Sequence, residues 1–327
     1  MRLVRRVQED WQLMRSTMYS MDWYFIAIIV LYTGVTIVFW GSIPQRWMVI
    51  GENTAFLVIT LTIIILVSKA KSHRWHTFRR FYVIPFVYPM YLQTFQILPH
   101  VRTDLYDSQL ATLDRWIFGV NPTSWMHQFA HPLITEYLQW CYVAFFFVPC
   151  IHAIVLYRDK RYREFEMFSR LMVFSFFVSY LAYFAFPAVG PRFSLHDFYS
   201  INSELPGVWF AGVLREQVNI GGGIVPGTAN PADVVNRDCM PSGHTMMTLV
   251  NILLAWRFRS RGRWFFTVVG CSLIIATIYL RYHYAVDALA GIVCALAMFP
   301  LEQSVDAYLK KRRFVLPRIN ARQIPSV

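Results

Sequence analysis

From Trp23 to Gln45 the chain carries no charged side chain. A helix needs about 20 apolar residues to cross the hydrocarbon core of a bilayer, so this run alone is long enough. Comparable runs recur at roughly 53–68, 81–99, 133–157, 167–187, 243–256, 264–280 and 285–302. Inside lipid every backbone N–H and C=O must be satisfied within the protein, which leaves helices or a closed barrel. Runs this long and continuously apolar read as helices. The prolines of the third run, Pro85 and Pro89, are compatible with a membrane helix when neighbours satisfy the freed carbonyls. Only 15% of the 327 residues are charged, 56% are hydrophobic, and mean hydropathy is +0.38. The expectation is an all-α polytopic membrane helical bundle of about eight transmembrane helices.

The net charge of +12 would suggest a nucleic-acid partner in a soluble protein, but the placement of the charge points elsewhere. With eight spans and the N-terminus inside, segments 1–22, 69–80, 158–170, 257–263 and 303–327 share one side and hold 24 of the 31 Lys and Arg residues. The other side keeps Arg46, Arg102, Arg115, Arg192, Arg215, Arg237 and Arg281. This is the positive-inside pattern, with both termini cytoplasmic. The basic clusters are topology determinants and lipid-surface contacts; the partners are membrane lipids, not nucleic acid. Arg2–Arg15, with Trp11 and Leu13, reads either as an interfacial amphipathic helix or as a solvated tail. No cleavable leader is expected, because the first apolar run is long enough to stay in the bilayer. Five cysteines without paired spacing give neither a disulfide framework nor a zinc motif. The organisation read from the chain is a basic segment with two accessory spans (1–80), a six-helix core (81–302) and a basic tail (303–327).

Two outer segments are long. Residues 100–132 carry Trp116, Phe118 and Trp125 and read as lying along the membrane interface. Residues 188–242 begin with Gly190-Pro191-Arg192 and end on Pro241-Ser242-Gly243-His244, which reads as a lid or recognition element.

The chemistry gathers at that same face. Ser242 and Gly243 would occupy the first turn of a helix entering the membrane, where unpaired N–H groups and the helix dipole can hold a phosphate. The plain alternative is a serine cap followed by a buried histidine. His283 and Asp287 are four apart, so on a helix the carboxylate can hold one imidazole nitrogen and leave the other free to attack; a structural His–Asp pair is the alternative. An aspartate at the start of a span favours function, because it is costly without a partner. Arg192 offers a planar, permanently charged donor array for phosphate oxygens, or a simple interfacial anchor. Singly these are ordinary residues; all on one side of the membrane, they point to phosphoryl transfer on a lipid. His127 and His131, four apart, lack a visible third metal ligand.

Taken together, these residues resemble the type 2 phosphatidic acid phosphatase and haloperoxidase superfamily over roughly 165–300. Its central motif stands intact at Pro241–His244, and its His-x-x-x-Asp element at His283 and Asp287. The first motif is reduced to Gly190-Pro191-Arg192. The lysine and arginine of the family pattern would fall at Ala185 and Thr277 and are absent; Arg281 or Arg237 are the candidate replacements. With Leu113-Asp114-Arg115-Trp116-Ile117-Phe118-Gly119, these departures are similar to the inositol phosphorylceramide synthase-like lipid phosphotransferase branch. The resemblance implies that His283 is the nucleophile, Asp287 its orienting carboxylate and His244 the general acid and base. Arg192, Ser242 and Gly243 would bind phosphate, with no metal and no cofactor. It implies a phosphotransferase, or a phosphatase if the acceptor is water; a non-catalytic lipid transporter is the alternative of another kind.

Overall fold

The structure is a computed structural model that describes residues 17–69, 75, 78–79 and 81–314. The Arg2–Arg15 segment, most of the basic loop 69–80 and the end of the tail lie outside the described residues. The long helices are α1 (Ser20–Val38), α2 (Arg46–Lys69), α3 (Val87–Val101), α4 (Asp107–Phe118), α5 (Pro132–Val143), α6 (Val148–Arg158), α7 (Tyr162–Tyr183), α8 (Ala211–Gly221), α9 (Gly243–Arg257), α10 (Arg263–Tyr279) and α11 (Ala285–Phe314). No strand occurs among the described residues, and the chain is an all-α polytopic bundle.

Each of the eight apolar runs is helical, but they differ in kind. Helices α1, α2, α7 and α11 are long and apolar enough to cross a bilayer, and the bent pair α5–α6 makes a fifth. Helix α10 is apolar but shorter, with 17 residues, and α3 and α9 have 15 each. The run 133–157 bends by 52° where residues 144–146 tighten into a 3₁₀ turn and Pro149, without an N–H, opens α6. Helix α2 begins at Arg46, ahead of the expected 53, because its polar first turns are satisfied: Gln93 donates to Glu52 at 2.8 Å and Asn53 to Thr33 at 3.1 Å. Helix α11 continues to Phe314, into the segment expected to be a basic tail.

Helix α7 is central. One side of it packs Phe177 and Tyr180 among Phe25, Tyr32, Met90 and Ile97 of α1 and α3. The other packs Phe165 and Phe168 among Leu156, Met247, Val250 and Ala295 of α6, α9 and α11. Outward-facing Val58, Val268 and Val293 are exposed, as expected of a bundle whose outer surface meets acyl chains rather than water. At one end, Arg170 pairs with Glu302 and, at 2.8 Å, with Asp306; Ser20 and Tyr24 donate to the same two carboxylates. Beside them Arg79 pairs with Asp22 at 2.7 Å. At the other end lie the connector between α10 and α11, the N-terminus of α9 and the long segment 188–242.

Candidate active site

The N-terminus of α9 and the connector before α11 bring His244 and His283 together. His283 Nε2 lies 3.3 Å from His244 Nδ1, with ring centroids 5.3 Å apart. The other nitrogen of His283, Nδ1, lies 3.0 Å from Asp287 Oδ1 and 3.2 Å from the carbonyl of Cys239. Both of those are acceptors, so the network assigns the proton to Nδ1 and leaves the Nε2 lone pair facing His244. Burial opposes a charge on His283, but the Asp287 carboxylate, helped by Asp238 and the Cys239 carbonyl, raises the imidazole pKa above its usual value.

Asp287 is held from several directions. Its Oδ2 accepts from the Tyr284 N–H at 2.8 Å and from the Cys239 thiol at 2.9 Å. Asp287 is the third residue of α11, so its bond back to the Tyr284 N–H is also half of a capping box. Burial, then the Asp287 and Asp107 carboxylates, push the Cys239 thiol well up, which keeps it a neutral donor. Cys239, His283 and Asp287 set three possible ligand atoms within 4.8 Å of one another. The same atoms are already joined by hydrogen bonds, so a metal would have to displace a proton to enter.

Helix α4 clasps both site loops with two carboxylates. Asp114 accepts from the N–H groups of Ala285 and Val286, at 3.0 and 2.7 Å, and so caps α11 from outside the helix. Asp107 accepts from Val189 and Gly190, at 3.0 and 2.8 Å, and from the Tyr284 hydroxyl at 2.9 Å. Burial pushes both carboxyl pKa values up, and the N–H donors oppose it. Gly190 has φ of 100°, and a Cβ there would sit 2.6 Å from the Tyr282 carbonyl oxygen; glycine permits this approach. Gly291 does the same for α11: a Cβ would lie 2.7 Å from the Ser242 carbonyl oxygen.

The expected phosphate-binding residues divide. Ser242 is buried; its Oγ accepts from the Thr245 N–H at 3.2 Å, and its own N–H donates to the Asp287 carbonyl at 3.2 Å. Gly243 and His244, the first two residues of α9, keep N–H groups with no partner among the described residues. The Arg192 guanidinium turns away from the histidines. It donates to Asn219 Oδ1 at 2.7 Å and lies 4.9 Å from the Tyr282 ring centroid. Tyr282 stacks on Tyr142 at 4.4 Å, and Tyr142 stacks on His244 at 4.6 Å, so two aromatic rings stand between Arg192 and His244. The sequence suggests a shared phosphate for Arg192, Ser242 and Gly243; in the structure Arg192 is bound to Asn219 and lies against Tyr282, whereas Ser242 and Gly243 begin α9. Arg281 pairs with Glu204 and lies 3.4 Å from His127 Nδ1, and Arg237 donates to the Arg102 carbonyl at 2.7 Å. His131 instead caps α5 by accepting from the Leu133 N–H, so His127 and His131 share no ligand. Of the two positions without the family cations, Ala185 is exposed in the turn after α7. Thr277 is buried, and its carbonyl accepts from the N–H groups of Tyr282 and His283 at 3.0 and 2.9 Å.

The profile of the PAP2 superfamily matches residues 108–301, well over half of the chain. The chain belongs to the PAP2 superfamily. Members are phosphatases and phosphotransferases, and the long apolar helices make this one a multi-pass membrane protein. A PA-phosphatase related-family protein of Dictyostelium discoideum is 28% identical over 128 residues, which is 39% of this chain and 21% of that relative. The match therefore spans about a fifth of the relative's length. No solved structure matches. The matched range begins within α4, so the PAP2 region includes Asp114 as well as the histidines.

Proposed function

We propose that this PAP2 protein is an integral-membrane lipid phosphotransferase of the inositol phosphorylceramide synthase-like type, working through a phosphohistidine on His283. The observation that carries the proposal is the relay in which Asp287 holds Nδ1 of His283 and Nε2 faces His244. In the first step the Nε2 lone pair forms a bond to phosphorus as the bond to the lipid alkoxide breaks, and His244, as the imidazolium, gives one proton to that alkoxide and is left neutral. In the second step His244 takes the proton of an acceptor hydroxyl, whose oxygen attacks phosphorus, and the P–N electrons return to His283. The phosphorus enters where the two imidazoles now touch. The free N–H groups of Gly243 and His244 at the start of α9, with Ser242 shaping the turn, suit the non-bridging oxygens. General acid–base help of this kind is worth roughly 10²–10⁴-fold.

The orientation that follows from the charge pattern puts both termini in the cytoplasm and this site on the opposite face. Hydrolysis is the second reading, favoured by the PA-phosphatase related name of the Dictyostelium relative; water then replaces the acceptor alcohol. The purified protein is incubated with a ³²P-labelled lipid phosphodiester and quenched. The expected result is an acid-labile, base-stable phosphoprotein that disappears in His283→Ala, with turnover falling at least about 10⁴-fold. A well-folded His283→Ala protein that still turns over removes the nucleophile. Label recovered on a second lipid marks the transferase, and label recovered as a water-soluble headgroup phosphomonoester marks hydrolysis.

A further inference from the structure

Behind Tyr282 lies a cavity of about 110 Å³, which neighbours a groove of about 540 Å³ and shares Arg215, Asn202 and Asn219 with it. Arg192 and Arg215 both line the small cavity, each only 6% exposed, and no carboxylate lines it. Their partners are neutral. Arg192 donates to Asn219 Oδ1, and Arg215 donates to Asn202 Oδ1 and to the Leu205 carbonyl. The buried Nε of Arg215 has no hydrogen-bond partner among the described residues. Burial lowers the pKa of Arg215 from the usual arginine value, as it must when a cation is desolvated without a counter-charge. The neighbouring carboxylate, Glu204, is already paired with Arg281.

Two buried guanidinium groups with only neutral acceptors leave a desolvation cost that an anion would offset. Arginine forks match phosphate oxygens, and charge-assisted bonds of that kind are the strong ones. Asn202 and Asn219 can each donate and accept, which suits hydroxyl groups, and the faces of Tyr282 and Phe198 give the cavity apolar walls. Tyr282 immediately precedes His283 and joins its compartment through the stack with Tyr142 and His244.

We propose that this cavity is a second anion subsite, beside the histidine pair, that seats an anionic hydroxyl-bearing headgroup through Arg192 and Arg215. The subsite itself stands on the cavity alone; only its assignment to the lipid undergoing transfer rests on the phosphohistidine reading. Arg215 belongs to no motif, and it supplies positive charge in a chain that lacks the family cations at Ala185 and Thr277.

The test uses the full chain in nanodiscs and inorganic phosphate as the probe, with binding followed by calorimetry in a His283→Ala background. The substitution Asn219→Asp sets a fixed carboxylate beside Arg192 and should weaken phosphate binding at least about tenfold; Arg215→Met should do the same. If Arg215→Met fails to fold, Asn219→Asp decides alone. Phosphate bound as tightly by Asn219→Asp as by its parent overturns the subsite. In the otherwise wild-type chain, vesicles carrying a glycerol phosphate-headed lipid distinguish the sources. A lipid KM raised by Asn219→Asp marks a lipid-borne headgroup. An unchanged KM with lost phosphate inhibition marks free phosphate. Loss of the subsite leaves His283-dependent turnover in place, whereas turnover that survives His283→Ala removes the phosphohistidine and leaves phosphate binding to be read separately.

Discussion

Glu302 and Asp306 of α11 are bound by Arg170, Ser20, Tyr24 and Lys310. Asp287 of the same helix has no Lys or Arg partner among the described residues; it is bound by an imidazole, an amide and a thiol. The two places are fifteen residues apart, about 22 Å along the helix at 1.5 Å per residue. Asp107 and Asp114 follow the second manner, with backbone amides and one hydroxyl as donors. A carboxylate closed by a guanidinium is a finished electrostatic unit. A carboxylate closed by N–H and O–H donors keeps its negative charge, and His283 is where that charge is felt. The same chemical group thus serves cohesion at one end of the bundle and orients a reactive imidazole at the other.

Replacing Asp287 by Asn tests the second half of that contrast most severely. The amide keeps the shape but not the charge, and it can present a donor to Nδ1, which turns the imidazole to the wrong tautomer. The expected loss in kcat is on the order of 10⁴-fold, measured as label transferred from a ³²P-lipid, with the helical circular dichroism unchanged. A loss below about tenfold would make Asp287 a capping residue and nothing more.

Arg170→Met tests the first half. It strands Glu302 and Asp306 in the bundle and should cost about 3–5 kcal/mol of stability, read by chemical unfolding in detergent micelles. The turnover per folded molecule should stay as it was. If catalysis falls while stability does not, the two ends are coupled and the contrast fails.

Asp114→Ala should have a smaller effect at the site end. It removes an N-cap-like acceptor from Ala285 and Val286, a change worth about 0.5–2 kcal/mol. Because those residues begin the helix that carries Asp287, kcat should fall with stability, whereas KM for lipid should hold. Asp114→Asn, which keeps an acceptor oxygen, should restore most of both.

The helices were readable because a bilayer demands long uncharged runs, and the reactive pair because His283 and Asp287 stand four apart in the chain, although His283 lies in the connector before α11 and only Asp287 on the helix. Arg192 illustrates what was not readable. Its place after Gly190-Pro191 fixed its end of the bundle, but the direction of a long side chain depends on what it packs against, here Tyr282 and Asn219. Cys239, Tyr284 and Asp107 were missed as supports of the site because their contacts join distant parts of the chain or use a backbone N–H. Asp114 lay in a run that stood out in the sequence, yet its role as a cap for a helix 171 residues away has no local signature. The early start of α2 was hidden by Glu52 and Asn53, whose partners lie on other helices.

The mildest perturbation is pH, and it acts on activity and stability in opposite senses. The folded pKa of His283 is raised above the ordinary 6.5: burial lowers it, but the Asp287 carboxylate, with Asp238 and the Cys239 carbonyl, more than offsets that. The charged pair therefore contributes stability that is fully present below pH 6.5 and is lost as pH rises through the folded value. The nucleophile needs an unprotonated Nε2, so kcat/KM should rise through that same window, its acid limb lying above 6.5. Profiles of kcat/KM and of unfolding midpoint against pH, taken on one preparation, should cross there. In Asp287→Asn the acid limb of the residual activity should move down, since burial then acts on His283 without the opposing carboxylate. An acid limb at or below 6.5 in the unmodified chain would mean that Asp287 does not govern the charge on His283, and the distinction between the two ends of α11 would then be one of geometry alone.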